Sequence, residues 1–448
     1  MTWHAAPLLR ALGCLAVATL VYGNAPQPEA LRTGLALFVL IGGLWMTQAL
    51  HLSVTALLVP LLATLTGLMD LRVALASFAH PILFLFLGGF ALAAALRQQG
   101  LDRALAVAVL RLAAGRRAAA VAMLFGLTAL LSMWISNTAT AAMMLPLAMG
   151  LMREGDGVRE RSFVLLGVAY SASIGGIGTL VGSPPNAIAA AQAGLGFAEW
   201  MRIGVPLVVV LLPLMVGVLF LLLRPRLGGR EPAPAGPMPA EPWTRLQRIT
   251  LLVFGLTAAG WIGAVPLGRA LGVSADVDSV VAVVAIVALV ASGAINWPQI
   301  EQRTQWGVLL LFGGGLALSE VMGSSGASRF LAGALTDTLQ GAPTVLLLLG
   351  VVAFVVFLTE LVSNTASAAL LVPIFLGVAA TLGLPPSLFA VAIAVSASCA
   401  FMLPVATPPN ALVYATEQVT QATMMRCGLV LNLVCIAVIT ALATGFLA

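Results

Sequence analysis

Lysine is absent from this 448-residue chain, and charged residues of all kinds make up only 8% of it. A soluble domain carries about 25% charge, so secreted, nuclear and cytosolic enzymes are excluded, and a chain 61% hydrophobic with mean hydropathy +1.08 must reside in a membrane. Histidine is nearly missing too: His4, His51 and His80 are scattered, which leaves no basis for a transition-metal centre. The four cysteines, Cys14, Cys399, Cys427 and Cys435, lack metal-ligand spacing and lie in apolar stretches, as small core hydrophobes do. The net charge of +5 is carried by arginine alone. With no basic run interleaved with aromatics, it reports membrane orientation and not a nucleic-acid partner.

What the chain has in abundance is apolar runs bounded by charge, proline or glycine. Spans are expected at 7–23, 33–50, 52–69, 78–96, 161–181, 198–223, 246–266, 277–295, 305–322, 388–404 and 423–446. All read as helices, because only helices or closed barrels satisfy their backbone in lipid and the runs lack the alternation of barrel strands. The first run, Ala11 to Tyr22 after Arg10, has the outline of a signal peptide but is read as an uncleaved span. Segment 224–245 holds Arg224, Arg226, Arg230 and Arg245 among six prolines, a density that forbids a continuous helix and marks a linker.

Two segments do not fit a simple span. Residues 118–152 contain no charge for 35 positions, and a straight helix of that length is about 52 Å against a hydrocarbon core of about 30 Å. Ser136-Asn137-Thr138, three poor helix formers that favour caps, supply the break. The segment is therefore expected to be a re-entrant hairpin with arms near 119–135 and 139–152. Segment 344–380 repeats the design around Ser363-Asn364-Thr365.

The repeat extends well beyond these tips. Residues 136–146 and 363–373 agree at seven of eleven positions, 227 apart; Gly88–Leu92 aligns with Gly314–Leu318 at 226, Ser132 with Thr359 at 227, and Pro184-Pro185-Asn186 with Pro408-Pro409-Asn410 at 224. Two copies of one unit are implied, over 33–223 and 246–448, after an N-terminal first span in 1–32. Eight arginines (97, 103, 111, 116, 117, 153, 159, 161) flank hairpin one and only Arg329 lies near hairpin two. Positive charge prefers the cytoplasm, so hairpin one is expected to enter from inside and hairpin two from outside, with a cytoplasmic N-terminus and linker and an external C-terminus. Inverted repeats of this kind are typical of secondary transporters with a midplane site. The expected fold class is an all-α polytopic membrane protein of about 11 transmembrane helices plus two re-entrant hairpins.

In each half a second break follows the hairpin, at Gly175–Asn186 and at Thr407–Asn410. Unwound backbone at membrane depth is tolerated only where it lines a cavity or meets a ligand. Hydroxyl, amide and carbonyl oxygens suit a hard cation such as Na⁺; half-helix N-termini with Ser, Thr and Asn suit an anion. Residues 118–152, 162–198 and 361–416 hold no Arg, Asp or Glu, so a bound anion has no arginine clamp there, and co-bound cations are the economical counter-charge. Isolated Ser, Thr and Asn in membrane helices usually act as interhelical glue; their duplication at matching positions favours a site. Glu360, an intramembrane acid, is a functional candidate by default and equally a candidate for a structural pairing.

At these residues the chain resembles the divalent anion/sodium symporter family, the bacterial relatives of sodium-dependent dicarboxylate carriers. The two Ser-Asn-Thr hairpins, the two Pro-Pro-Asn breaks and the Gly-Gly span before each hairpin carry the resemblance over nearly the whole chain. It implies a homodimer in the inner membrane, each protomer with a scaffold and a transport domain built from both repeats and moving by an elevator mechanism. It further implies one Na⁺ at Ser132, Ser136, Asn137 and the Gly182 carbonyl, and a second at Thr359, Ser363, Asn364 and the Ala406 carbonyl. Asn137, Thr138, Asn364 and Thr365 would contact the substrate carboxylates, with Ser183, Thr407 and Pro408 close by. Ser183 departs from the Thr of many relatives. The expected function is Na⁺-coupled symport of C4-dicarboxylates such as succinate, malate and fumarate. A Na⁺-independent exchanger, a citrate or sulfate carrier and an anion channel are the rivals. Partners are a small dianion, lipid and a second copy; the residues for nucleophilic or acid–base hydrolysis are missing from the spans, so no enzyme is expected.

Overall fold

The computed structural model describes residues 5–113, 116–153, 155–228, 243–273, 275–338 and 343–445, and among them the chain forms helices and no strand. Among the described residues eight helices are long and apolar enough to cross a membrane, nine if Arg245–Ile262 and Ala264–Leu271 count as one bent span, and five shorter apolar helices accompany them. Each of the eleven expected spans lands on a helix. The protein is a multi-pass membrane protein.

Differences have local causes. The span expected over 246–266 stops at Ile262 and turns by 88°, where Gly263 ends the helix and Pro266 has no N–H to continue it. The span expected over 388–404 ends at Ala397, and residues 398–407 are not helical. Two helices that hydropathy does not reveal, Leu101–Arg111 and Ala327–Thr338, precede the hairpins at a spacing of 226. Of the linker, residues 229–242, with Arg230 and all its prolines except Pro225, lie outside the described residues; helix Arg245–Ile262 then starts on a Thr244/Gln247 capping box.

Both hairpins form. Arg117–Ser132 and Asn137–Gly150 make the first, Thr344–Thr359 and Asn364–Leu382 the second. Each leading arm has 16 residues, about 24 Å and too short to cross a bilayer core. The first hairpin packs against helix Val158–Gly175, whose span is 94% buried inside the protein. Contact between them is close: a Cβ on Gly167 would lie 2.0 Å from the Phe125 ring.

The Gly-Gly motifs serve helix packing. Pro81–Gln98 packs on Val277–Ala291, and Trp306–Ser324 on Leu52–Leu65. A Cβ on Gly88 would sit 2.6 Å from that of Ala282, and one on Gly314 2.6 Å from that of Ala56. Both pairs obey the 226-residue offset, which is the small-on-small contact that lets membrane helices approach closely. The break helices cross over: Pro184–Ala193 packs on Asn364–Leu382, and Pro408–Tyr414 on Asn137–Gly150. Each half thus contributes a helix to the other half's hairpin.

At the base of hairpin one, Arg117 and Asp156 form a buried ion pair, with Arg117 Nη1 donating to Asp156 Oδ1 at 2.8 Å and the Arg153 N–H to Oδ2 at 2.9 Å. Burial pushes the Asp156 carboxyl up, but these hydrogen bonds and the two arginine charges outweigh it and hold it below the usual aspartate range. A depressed carboxyl contributes stability that is fully present above its unfolded value and is lost as pH falls through its folded value. Thermal stability in detergent should therefore decline below the ordinary aspartate range, with Asp156→Asn flattening that decline. Arg117→Ala should cost up to about 3 kcal/mol at neutral pH, because the buried carboxylate keeps only the Arg153 N–H and charge beside it.

Candidate cation and substrate site

Both hairpin tips build the same oxygen-rich contact. In the first, Ser132 ends the leading arm and Asn137 begins the second, which brings their side chains together; Ser132 is fully buried. Ser132 Oγ lies 2.6 Å from the carbonyl of Ala172 and 2.7 Å from the side-chain amide of Asn137. That same amide atom lies 3.1 Å from the Ala172 carbonyl and 3.3 Å from the Gly182 carbonyl. Which amide atom points inward is a matter of chemistry. With nitrogen inward, the two amide protons are shared among these three oxygens and the tip satisfies itself. With oxygen inward, four oxygens share the single proton of a hydroxyl, an arrangement that calls for a cation.

The second tip repeats this with Thr359 Oγ1, buried, at 2.7 Å from Asn364 Oδ1 and 2.9 Å from the Ala397 carbonyl. Again one proton faces two acceptors. Ala172 and Ala397 were not legible in the sequence, since they contribute main-chain carbonyls from the last turn of a helix ahead of a break. The Ala172 carbonyl also accepts from the Gly176 N–H that ends its helix, whereas among the described residues no such bond is made to Ala397, and their position before the Gly-rich and Ser-rich breaks is the signal that finds them.

The remaining expected ligands are placed less centrally. Ser136 caps the second arm, accepting from the Ala139 N–H at 3.4 Å, and Ser363 holds the matching cap position without a side-chain cap bond. Ala406 lies in the unwound segment before Thr407. Among the expected substrate contacts, Thr138 is exposed, and Asn137, Asn364 and Thr365 are half-buried at the start of their helices, where free N–H groups are available to an anion. Ser183 and Ser398, one from each break, approach to 3.4 Å between hydroxyls. Thr407 caps its helix by accepting from the Asn410 N–H at 3.3 Å, and Pro408 is exposed beside it.

The Pro-Pro-Asn asparagines fasten the breaks. Asn186 Nδ2 donates to the carbonyls of Gly176 and Thr179 at 2.8 and 2.7 Å; Asn410 Nδ2 donates to those of Ala400 and Leu403, both at 3.1 Å. Each reaches back ten and seven residues, so each unwound loop is closed by the same staple. Glycine permits the closeness in the first half: a Cβ on Gly176 would lie 2.3 Å from Asn137 Oδ1, and one on Gly182 2.5 Å from the Gly176 carbonyl.

One asymmetry separates the tips. Trp134 in the first stacks on Trp261 at 6.4 Å and on Phe197 at 6.1 Å, with Phe254 edge-on at 5.0 Å. The position 227 residues on, Leu361, is 73% exposed.

Comparison with known proteins agrees with this architecture. A profile described as "Citrate transporter" matches residues 43–383. The chain is 48% identical over 430 residues to an uncharacterized transporter of Haemophilus influenzae, covering 94% of this chain and 92% of that one. It is 31% identical over 443 residues to the sodium-dependent dicarboxylate transporter SdcS of Staphylococcus saprophyticus, covering 90% and 84%. The crystal structure of the Alcanivorax borkumensis YdaH transporter shares the fold, with a TM-score of 0.57 at 16% identity over 84% of this chain and 86% of that one. The chain belongs to the citrate transporter family that also takes in the divalent anion/sodium symporters, and it is a membrane transporter and not an enzyme.

Proposed function

We propose that this transporter is a Na⁺-coupled symporter of C4-dicarboxylates such as succinate, malate and fumarate, with one Na⁺ at each hairpin tip. The observation that carries the reading is the duplicated contact in which a buried hydroxyl, of Ser132 or Thr359, meets an asparagine side-chain amide and a helix-end carbonyl, a set of oxygens that would surround a cation when the amide turns its oxygen inward. A small hard cation satisfies such a cluster. The dianion would lie against the N-termini of the helices starting at Asn137 and Asn364, contacting Thr138 and Thr365, with Ser183, Thr407 and Pro408 at the rim. No arginine occurs in 118–152, 162–198 or 361–416; two Na⁺ would balance two carboxylates, so the dianion becomes soluble at membrane depth only with Na⁺, and at least one Na⁺ only with the dianion. That mutual dependence is coupling. The sodium dependence named for SdcS relatives supports the same assignment.

The packing supports an elevator division. The Gly88–Ala282 and Gly314–Ala56 helix pairs form the scaffold in this reading, and the hairpins with their crossed break helices form the moving unit. The covered Trp134 tip and the exposed Leu361 tip fit one end state of such a cycle. A homodimer in the inner membrane, with cytoplasmic N-terminus and linker and external C-terminus, completes the reading.

The test is uptake of radiolabelled succinate into proteoliposomes with an inward Na⁺ gradient or with choline in its place. Accumulation in Na⁺ alone is expected. Equal uptake in choline that requires preloaded dicarboxylate would make the protein an exchanger; downhill flux without accumulation would make it a channel.

A further inference from the structure

The two tips differ in charge. Beside Ser132 in the first stands Met133; beside Thr359, at the matching place in the second, stands Glu360, only 3% exposed. Its carboxylate sits in a nest of donors. Oε1 accepts from the N–H groups of Phe401 and Met402 at 2.7 and 2.9 Å and from Asn432 Nδ2 at 2.8 Å, and Oε2 accepts from the Leu403 N–H at 3.0 Å. Four donors and no acceptor describe an ionised, acceptor-only group. Neutral N–H dipoles hold that charge without cancelling it, and residues 361–416 contain no arginine. The nest is the unwound segment that follows Ala397, the carbonyl of the second tip, and it is closed by Asn410 on Ala400 and Leu403. The first half spans the same stretch with Gly176–Gly178 and needs no carboxylate: Thr179 Oγ1 bonds the Met133 carbonyl instead.

Resting on the reading of the tips as Na⁺ sites, we propose that Glu360 is the fixed counter-charge and positioning residue of the second site, so that the two sites are unequal. The second fills first and without substrate; the first, which has no protein charge beside it, fills together with the dianion. Consecutive Cα atoms are about 3.8 Å apart, so the carboxylate lies within about 10 Å of a cation at Thr359. At an effective dielectric of about 20, one charge at that distance changes a monovalent cation's affinity by roughly tenfold.

Glu360→Gln should raise the Na⁺ concentration for half-maximal succinate uptake by roughly tenfold while leaving the succinate KM at saturating Na⁺ near wild type, and Glu360→Asp should restore much of the Na⁺ affinity. A purely structural residue would instead lower yield and maximal rate in both variants with no shift in the Na⁺ curve, and that result overturns the proposal. Should Glu360→Gln not fold, single-site variants decide the question through Na⁺-dependent thermal shifts without substrate. Ser132→Ala, which keeps the second site, should retain the lower half-saturating Na⁺ concentration, and Thr359→Ala should lose it; equal or reversed values contradict the inference. A wild type with no Na⁺ response in uptake or thermal shift would remove the cation sites themselves, whereas a Na⁺-dependent wild type with an unshifted Glu360→Gln removes only the role given to Glu360.

Discussion

Asn137→Ala and Asn364→Ala should each reduce Na⁺-driven succinate uptake by about 100-fold or more while the protein still inserts and purifies as a single species. In the proposed site each asparagine turns its side-chain oxygen toward the cation, Asn137 beside Ser132 Oγ and the Ala172 and Gly182 carbonyls, Asn364 beside Thr359 Oγ1. Loss of even an outer partner of a metal site costs about 10–100-fold in affinity or activity, so loss of a direct ligand costs at least as much. Because the proposed site also sets each asparagine side chain against the dianion, the same change removes a contact to it, and raising Na⁺ alone should not restore the rate. Initial rates over a range of Na⁺ concentrations check this. A variant with wild-type rate and Na⁺ dependence would remove its tip from the site.

Gly175→Ala should prevent folding. The new Cβ would lie 2.2 Å from the Ala129 carbonyl oxygen, 2.5 Å from its Cα and 2.7 Å from its carbonyl carbon. All three are main-chain atoms of the leading arm of hairpin one, so no rotamer change relieves the clash. Overpacking usually costs 1–3 kcal/mol, and a rigid backbone contact at this distance should exceed about 4 kcal/mol. The comparison is Gly126→Ala in the same arm, where a Cβ meets nothing within 4 Å and helix propensity favours alanine by about 1 kcal/mol. Yield and thermal midpoint in detergent should separate the two variants sharply; similar values for both would mean that the helix and hairpin can part without loss.

Much of this was legible in the sequence, for physical reasons. A charge-free run longer than a bilayer must break, and Ser-Asn-Thr, which caps better than it continues a helix, shows where: the arms meet at Ser132–Asn137 and Thr359–Asn364. Duplication did the rest, because matching positions in two halves mark a shared contact that a single Ser or Asn would not. Less legible were main-chain contributions. The Ala172 and Ala397 carbonyls carry no side-chain signature, and the helices Leu101–Arg111 and Ala327–Thr338 are too polar for hydropathy to register as spans. The Gly-Gly motifs and the Pro-Pro-Asn asparagines were visible as repeats, yet only packing shows that Gly88 and Gly314 admit Ala282 and Ala56 and that Asn186 and Asn410 staple their loops. Glu360 was visible as an oddity, and its donors lie 41 to 72 residues away along the chain.

The central claim is that the duplicated tips bind Na⁺. Saturable binding of radioactive sodium to the purified, substrate-free and substrate-loaded protein tests it most directly. With succinate present, about two sodium ions per protomer are expected for the wild type, about one for Asn137→Ala or Asn364→Ala, and none for the double variant. Absence of saturable sodium binding, or binding unchanged in the double variant, would mean that the Asn137 amide turns its nitrogen inward and satisfies the tip by itself, and would contradict the account.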